Sequence, residues 1–158
     1  AINMAWTLGK KVVLNPAPAC PLPEGLMSKV FLVTPNETEA SLLTGIHVTN
    51  EEETAIAAAD VLFEQGVQNV IITLGSKGAL VCSKNEKQFV PAFSVKAIDT
   101  TAAGDAFNGA FTVALAEGKD MIEAARMACA TSAIAVTRTG AQDSVPTREE
   151  LDKFLSEH

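Results

Sequence analysis

The chain has 158 residues, of which 47% are hydrophobic; this is enough for a sizeable core and excludes a disordered chain. The formal net charge of −7 argues against nucleic acid or an anionic membrane as a general partner. A phosphorylated ligand remains compatible with this charge, because a local nest of backbone N–H groups can bind it. The scattered Cys20, Cys82 and Cys129 lack CxxC spacing, which indicates free thiols, a reducing compartment and no zinc site.

Apolar strand patterns alternate with helix patterns along the chain. Residues 1–9 are typical of the last turns of a helix ending at Gly9, and Ala1 is not an initiator Met, so we expect the C-terminal part of something larger. The predicted strands are 12–14, 30–33, 70–74 and 79–82, with further extended segments at 88–91 and 93–95. The predicted helices are 36–45, 51–66, 104–118, 122–136 and one beginning at 147. This order predicts an α/β layered fold with a mostly parallel sheet flanked by helices. No apolar run is long enough for a membrane span and no signal peptide is visible, so we expect a cytoplasmic protein.

The stretch 99–111 has the pattern of an anion-binding helix start. Phe107, Ala110 and Phe111 have the spacing of a buried helix face. The small side chains of residues 102–104 leave backbone N–H groups open to a phosphate. Asp105 lies at the same turn. A carboxylate beside a phosphate is electrostatically unfavourable unless it takes part in the reaction or a metal ion lies nearby. The alternative is an Asp N-cap followed by small residues for close packing.

Two more polar segments follow predicted strands, at the edge where ligands bind in open α/β sheets. One helical turn places Asn36 and Glu39 on the same side, where they could hold a hydrated Mg²⁺; the alternative is plain helix capping. The glycines of the 73–78 segment allow a tight turn and close approach to a nucleotide. The alternative for this segment is an ordinary hairpin.

Together these segments resemble the ribokinase-like (PfkB) carbohydrate kinases. Residues 99–111 are similar to the C-terminal signature of that family, 36–39 to its Asn-x-x-Glu magnesium motif, and 73–78 to its nucleotide loop. The order and spacing match over essentially all 158 residues. The resemblance implies a ribokinase-like layered fold in which residues 1–158 form the C-terminal nucleotide-binding and catalytic part. The N-terminal half, with its sugar-binding Gly-Gly motif, and the small β lid would be missing.

The resemblance also implies roles for individual residues in an ATP-dependent sugar kinase. Asp105 would be the catalytic base that takes the proton of the sugar hydroxyl, and the N–H groups of Ala102, Ala103 and Gly104 would form, with that of Asp105, the anion hole. Mg²⁺ would be held by Asn36 and Glu39, largely through water. The implied ATP contacts are Asn36, Thr73, Leu74, Gly75, Ser76, Lys77, Gly78, Gly104, Asp105 and Cys129. The implied ligands of a K⁺ activator are Asp99, Thr101, Ala135, Arg138, Gly140 and Ser144. The alternative for the Arg138 side chain is a cation at a helix C-terminus.

Two runs, 15–19 and 139–146, are most similar to family members that phosphorylate ribose. They imply transfer of the ATP γ-phosphate to the 5-hydroxyl of D-ribose. The alternatives are another sugar or nucleoside kinase of the family, such as one acting on fructose, or an inactive nucleotide-binding fragment. The missing N-terminal half would be the main protein partner, and a full-length homodimer is expected. Ala102 departs from the Gly of many relatives; we expect little harm if its φ is negative.

Overall fold

Short apolar runs form the strands and amphipathic segments form the helices in the computed structural model, which describes residues 1–49 and 51–158. The helices are α1 (Ile2–Thr7), α2 (Glu37–Thr44), α3 (Glu52–Glu64), α4 (Ala103–Ala116), α5 (Met121–Ala135) and α6 (Arg148–Glu157). The strands are β1 (Val13–Leu14), β2 (Leu32–Val33), β3 (Asn69–Thr73), β4 (Gly78–Ser83) and β5 (Lys87–Pro91). Short 3₁₀ turns cover Met27–Lys29 and Gly75–Lys77. Two compact units result: unit 1 comprises residues 1–75 and 80–89, and unit 2 comprises 76–79 and 90–158.

The five strands form one sheet in the order β1-β2-β3-β4-β5. Parallel pairing joins β1 to β2 and β2 to β3, with Leu32 opposite both Val13 and Asn69. Val70, Ile71 and Ile72 are all fully buried, as expected of a strand covered on both faces. β4 follows β3 in chain order and in sheet order after the short connection 74–77, in agreement with the predicted hairpin. The predicted α/β fold is confirmed.

The core of unit 1 lies between the sheet and α3. One face of α3 is fully buried and consists of Ala55, Ala58, Ala59 and Leu62. The small alanines let the helix lie close to β3, whose Val70 and Ile72 belong to the same apolar cluster. β2 is shorter than the predicted 30–33 segment. The Pro35 ring follows it closely and provides no N–H for a ladder.

In unit 2, α4 packs along α5. Phe107 and Phe111 of α4 are buried, with stacked rings whose centroids lie 6.2 Å apart. The facing side of α5 is rich in buried alanines, which permits a close approach of the two helices. Asp120 caps the start of α5 by accepting hydrogen bonds from the N–H groups of Ile122 and Glu123.

The start of α4 differs from one sequence expectation. The N-cap of α4 is Ala102 and not Asp105, which is the third residue of the helix, so the alternative of an Asp N-cap is wrong. Residues 93–95 follow β5 without forming a strand. Among the described residues, no helix is both long enough and apolar enough to cross a membrane.

Candidate functional site

The first turn of α4 presents backbone N–H groups that have no partner among the residues the structure describes. Ala102, its N-cap, has φ 59° and ψ 13°, the left-handed conformation. The N–H of Ala103 donates to the Thr100 carbonyl at 3.3 Å, and the first regular helical bond runs from Ala106 to Ala102 at 2.9 Å. Within the described part of the chain, the N–H groups of Gly104 and Asp105 make no hydrogen bond. These two donors and the positive end of the helix dipole can therefore bind an anion.

The conformation of Ala102 does not meet the condition, a negative φ, under which we expected little harm from alanine. Ala102 is the only non-glycine residue with positive φ in the ranges that the structure describes. A left-handed residue with a Cβ is strained by roughly 1–2 kcal/mol. Strain of this size persists only where surrounding bonds hold the backbone in place.

Asp99 supplies part of that restraint by joining two loops of unit 2. One carboxylate oxygen accepts from the Thr101 N–H at 2.9 Å, and the other accepts from the Gly140 N–H at 3.0 Å. Hydrogen bonds from Thr101 and then from the Gly140 backbone lower the pKa of Asp99 from 3.8 to about 2. The structure thus brings together three of the predicted cation ligands, Asp99, Thr101 and Gly140. The hydrogen bonds between them favour the ionised form of the Asp99 carboxylate.

The other three predicted cation ligands are already hydrogen bonded. The Ala135 carbonyl accepts from the Arg138 N–H at 3.0 Å. The Arg138 guanidinium pairs with both carboxylate oxygens of Glu150, at 2.7 and 3.3 Å, and this contact lowers the pKa of Glu150. Ser144 is buried and its hydroxyl donates to the Ala141 carbonyl at 2.8 Å. Carbonyl and hydroxyl oxygens keep a free lone pair after one such bond, so Ala135 and Ser144 can still accept a cation.

Sequence reasoning missed two residues that support the α4 turn. The Asn108 side-chain Nδ2 donates to the Gly104 carbonyl at 2.9 Å, and the Ser132 hydroxyl of α5 donates to the Ala103 carbonyl at 2.8 Å. The Oδ1 of Asn108 is buried and has no hydrogen-bond partner among the described residues. The four-residue spacing of Gly104 and Asn108 on a helix could have suggested the first bond. No sequence signal points to the second, because it joins two helices.

The second group of predicted residues lies in unit 1, where β2 and β3 end. Asn36 and Glu39 form the capping box of α2: Asn36 Oδ1 accepts from the Glu39 N–H at 2.8 Å, and a Glu39 oxygen accepts from the Asn36 N–H at 2.9 Å. Asn36 also forms a parallel bridge with Thr73. A Cβ added to Gly75 would lie 3.6 Å from a Glu37 carboxylate oxygen. The magnesium and nucleotide motifs therefore meet at one edge of the sheet, and the capping role of Asn36 is present.

The nucleotide-loop residues differ in what they can offer a ligand. Gly75, Ser76 and Lys77 form an exposed 3₁₀ turn, whereas the Leu74 side chain is buried. Gly78 has φ 127°, and a Cβ there would collide with the Val90 carbonyl, so a larger residue does not fit. Leu74 and Gly78 can therefore contribute only backbone groups. Cys129, outside this loop, is also buried, and burial raises the pKa of its thiol to about 12.

Among the described residues there is no group of three or more His, Cys, Asp or Glu side chains placed to hold a metal ion. Asn36 and Glu39 offer only two side chains, one of them a carboxylate. This set fits Mg²⁺, which keeps several waters and takes further ligands from substrate phosphates.

Comparison with known proteins gives consistent matches along the chain. Residues 1–148 match the family model described as pfkB family carbohydrate kinase. The ribokinase of Haemophilus influenzae is 51% identical over 155 residues, which are 98% of this chain and 50% of that protein. The chain spans about half the length of the curated relatives it matches.

Solved structures of sugar kinases also match over nearly the whole chain. Arabidopsis thaliana ribokinase complexed with ribose and ATP has a TM-score of 0.92 at 33% identity, with coverage of 98% of this chain and 50% of that one. A double mutant of Vibrio cholerae fructokinase, in its fructose, ADP and potassium ion bound form, has a TM-score of 0.83 at 29% identity. That match covers 98% of this chain and 53% of the fructokinase chain.

Proposed function

This chain belongs to the pfkB family of carbohydrate kinases, and on that premise we propose that it provides the ATP side of a kinase that phosphorylates the 5-hydroxyl of D-ribose. The observation that carries the proposal is the first turn of α4, which combines two unpaired N–H groups with the exposed carboxylate of Asp105. The choice of ribose is supported by the identity to the Haemophilus enzyme and by the ribose and ATP in the Arabidopsis structure.

Asp105 has the role of the catalytic base. It lies at the start of a helix beside free N–H donors, so a sugar hydroxyl and a phosphoryl group can meet there. The carboxylate accepts the proton of the hydroxyl as its oxygen attacks the γ-phosphorus. The N–H groups of residues 102–105 stabilise the charge on the transferred phosphoryl oxygens. The Ala103 N–H already donates to Thr100, whereas the N–H groups of Ala102, Gly104 and Asp105 donate to no group among the described residues.

The nucleotide and Mg²⁺ are assigned to the sheet edge of unit 1 and the turn that follows it. Asn36 and Glu39 orient the hydrated Mg²⁺, and the exposed 75–77 turn contacts the nucleotide. The support is the pairing of Asn36 with Thr73, which joins the two motifs. Mg²⁺ supplies charge neutralisation between the phosphates when bound. Cys129 contributes an apolar contact to the adenine ring of the nucleotide, because its thiol stays protonated.

A monovalent cation, K⁺, is assigned to the loops joined by Asp99. The ligands are Asp99, Thr101 and Ser144 together with the backbone carbonyls of Ala135, Arg138 and Gly140. The low pKa of Asp99 keeps a negative charge beside the α4 turn, which favours a cation there. Potassium in the Vibrio fructokinase structure supports the choice of ion.

The decisive experiment replaces Asp105 in the full-length enzyme. Asp105→Asn keeps the shape but removes the base, so ribose-dependent ADP formation should fall about 10³-fold while ATP affinity changes little. Asp120→Asn is the matched control, because asparagine caps a helix as well as aspartate does and Asp120 lies at the start of α5. A kcat near the wild-type value in Asp105→Asn would refute the assigned role.

The second candidate is a kinase of the same family acting on another sugar, such as fructose, for which the support is the Vibrio match. A panel of sugars assayed with the full-length enzyme separates the two. The ribose proposal expects the highest kcat/KM for D-ribose. A higher value for fructose would replace the substrate and leave the assigned catalytic residues unchanged.

A further inference from the structure

We propose that Asn108 is a positioning residue for phosphoryl transfer, with Ser132 as its counterpart on α5. Both side chains would hold and polarise the peptide groups whose N–H ends bind the transferred phosphoryl group. The inference rests on the proposed function, because it needs the α4 turn to be the anion hole. It is carried by two hydrogen bonds and by one buried atom that has no partner in the described part of the chain.

The two bonds reach the peptide groups that carry the free donors. The Gly104 carbonyl and the Asp105 N–H belong to one peptide group, and Asn108 Nδ2 donates to that carbonyl at 2.9 Å. The Ala103 carbonyl and the Gly104 N–H belong to the preceding peptide group, and the Ser132 hydroxyl donates to that carbonyl at 2.8 Å. A donor on the carbonyl fixes the peptide plane and, because hydrogen bonds in a chain polarise one another, strengthens the N–H at its other end.

The side chain of Asn108 is not explained by stability. Its Oδ1 is buried without a partner, which is unfavourable, and asparagine has a lower helix propensity than alanine. Rotating the amide to exchange its ends would place Oδ1 against the Gly104 carbonyl oxygen, so the observed orientation is the favourable one. The only bond that the side chain makes among the described residues is the one to the anion-hole peptide.

The two side-chain hydrogen bonds come from two different helices. Asn108 lies on α4 itself, one turn beyond Gly104, whereas Ser132 lies on α5. The turn that they hold begins at Ala102, whose left-handed backbone is strained. Two independent restraints therefore fix the direction of the N–H groups before a phosphate arrives. Preorganised donors of this kind stabilise a transition state without reorganisation.

The test compares Asn108→Ala with Asn108→Ser in the full-length enzyme. Alanine removes the donor, so kcat should fall about tenfold, which is less than the loss of a whole oxyanion-hole donor. The melting temperature should stay equal or rise, since a poor helix former with an unpaired buried oxygen is removed. Serine should restore most of kcat, because its hydroxyl can donate to the carbonyl four residues earlier. Ser132→Ala should lower kcat in the same direction.

Thr112→Val is the matched control. Thr112 makes the same kind of bond on α4, from its hydroxyl to the Asn108 carbonyl at 2.7 Å, but away from the anion-hole peptides. Its kcat should equal that of the wild type. A purely structural role for Asn108 predicts instead that Asn108→Ala lowers the melting temperature together with kcat. That result, or a kcat within twofold of wild type, would overturn the inference.

A second readout keeps the inference separate from the proposed function. If the wild-type enzyme phosphorylates no sugar, the proposed function fails, and binding of inorganic phosphate then decides the role of Asn108. Phosphate should shift the amide resonances of Gly104 and Asp105, and Asn108→Ala should weaken the apparent affinity about threefold. Equal affinity in the two proteins would overturn the inference whatever the activity.

Discussion

At Ala102, a single backbone angle determines how the turn before α4, the proposed phosphate site, is built. The residue has φ 59°, a conformation that glycine adopts without strain and that strains alanine. Ala102→Gly should therefore raise the free energy of unfolding by about 0.5–1 kcal/mol, since relief of strain exceeds the added flexibility of the unfolded chain. Urea unfolding of the two proteins measures this difference.

Ala110→Gly is the control for this substitution. Ala110 lies in the interior of the same helix with regular backbone angles, so glycine there should lower the free energy of unfolding by about 1 kcal/mol. Opposite signs for the two substitutions are expected. A loss of stability in both would show that Ala102 is not strained.

Asp99 should give a measurable pH dependence. Its folded-state pKa, about 2, lies below the ordinary value of 3.8, so its hydrogen bonds add stability above pH 3.8. That contribution is lost as the pH falls from 3.8 through 2. A carboxyl ¹³C titration should show a midpoint near 2 in the wild type. In Thr101→Ala the midpoint should move up towards 3.8, because the Thr101 hydroxyl, the largest cause of the lowered pKa, is removed while the backbone N–H bond stays. An unchanged midpoint in that variant would contradict the assigned cause.

At the scale of single elements, Asn36 combines two roles that substitutions can separate. Asn36→Ala removes the cap of α2 and should cost about 1 kcal/mol, whereas Asn36→Ser keeps an acceptor for the Glu39 N–H and should cost a few tenths. The proposed contact to hydrated Mg²⁺ is lost in both. The Mg²⁺ concentration for half-maximal activity of the full-length enzyme should therefore rise in both variants, while stability falls clearly only in the first.

Thr147→Ala provides the comparison for Asn36. Thr147 forms the same type of capping box with Glu150 at the start of α6. Its loss should also cost about 1 kcal/mol but should leave the Mg²⁺ requirement unchanged. If Asn36→Ser behaves like the wild type in Mg²⁺ dependence, Asn36 acts as a cap alone.

The elements that the sequence predicts well are those specified by local chemistry. Both capping boxes follow from a polar residue and a glutamate three positions on, at Asn36 and at Thr147. The burial of 70–72 follows from an uninterrupted apolar run. The conformation of Ala102 could not be predicted in this way. It is set by bonds from residues distant in sequence, such as Gly140 through Asp99 and Ser132 from α5.

The candidate site was predictable only as a set of motifs. The pairing of Asn36 with Thr73 follows from the rule that parallel strands end at one edge. The four-residue spacing of Gly104 and Asn108 could have suggested the first of the two side-chain bonds to the α4 turn. The bond from Ser132 follows from no motif, because it joins two helices. Its detection needed the folded geometry of α4 and α5.

At the scale of the whole molecule, we expect a chain of this length to show little activity alone. The chain spans about half the length of its curated relatives. Phosphoryl transfer depends on holding the acceptor hydroxyl in line with the γ-phosphate, and the residues proposed above hold only the nucleotide side. The 158-residue chain in isolation should therefore show negligible ribose-dependent ADP release, measured against the full-length enzyme at equal concentration. Turnover by the isolated chain at a comparable rate would refute this expectation.

The three free thiols allow the local unfolding of the molecule to be followed by alkylation. Cys20 is exposed, whereas Cys82 in unit 1 and Cys129 in unit 2 are buried, with thiol pKa values raised to about 12. An alkylating reagent at neutral pH can thus modify only Cys20 in the native state. Each further adduct records the opening of one unit, so mass spectrometry of pulse-labelled peptides would measure the local stability of the two units separately. The natural sequence already carries one such reporter in each of them.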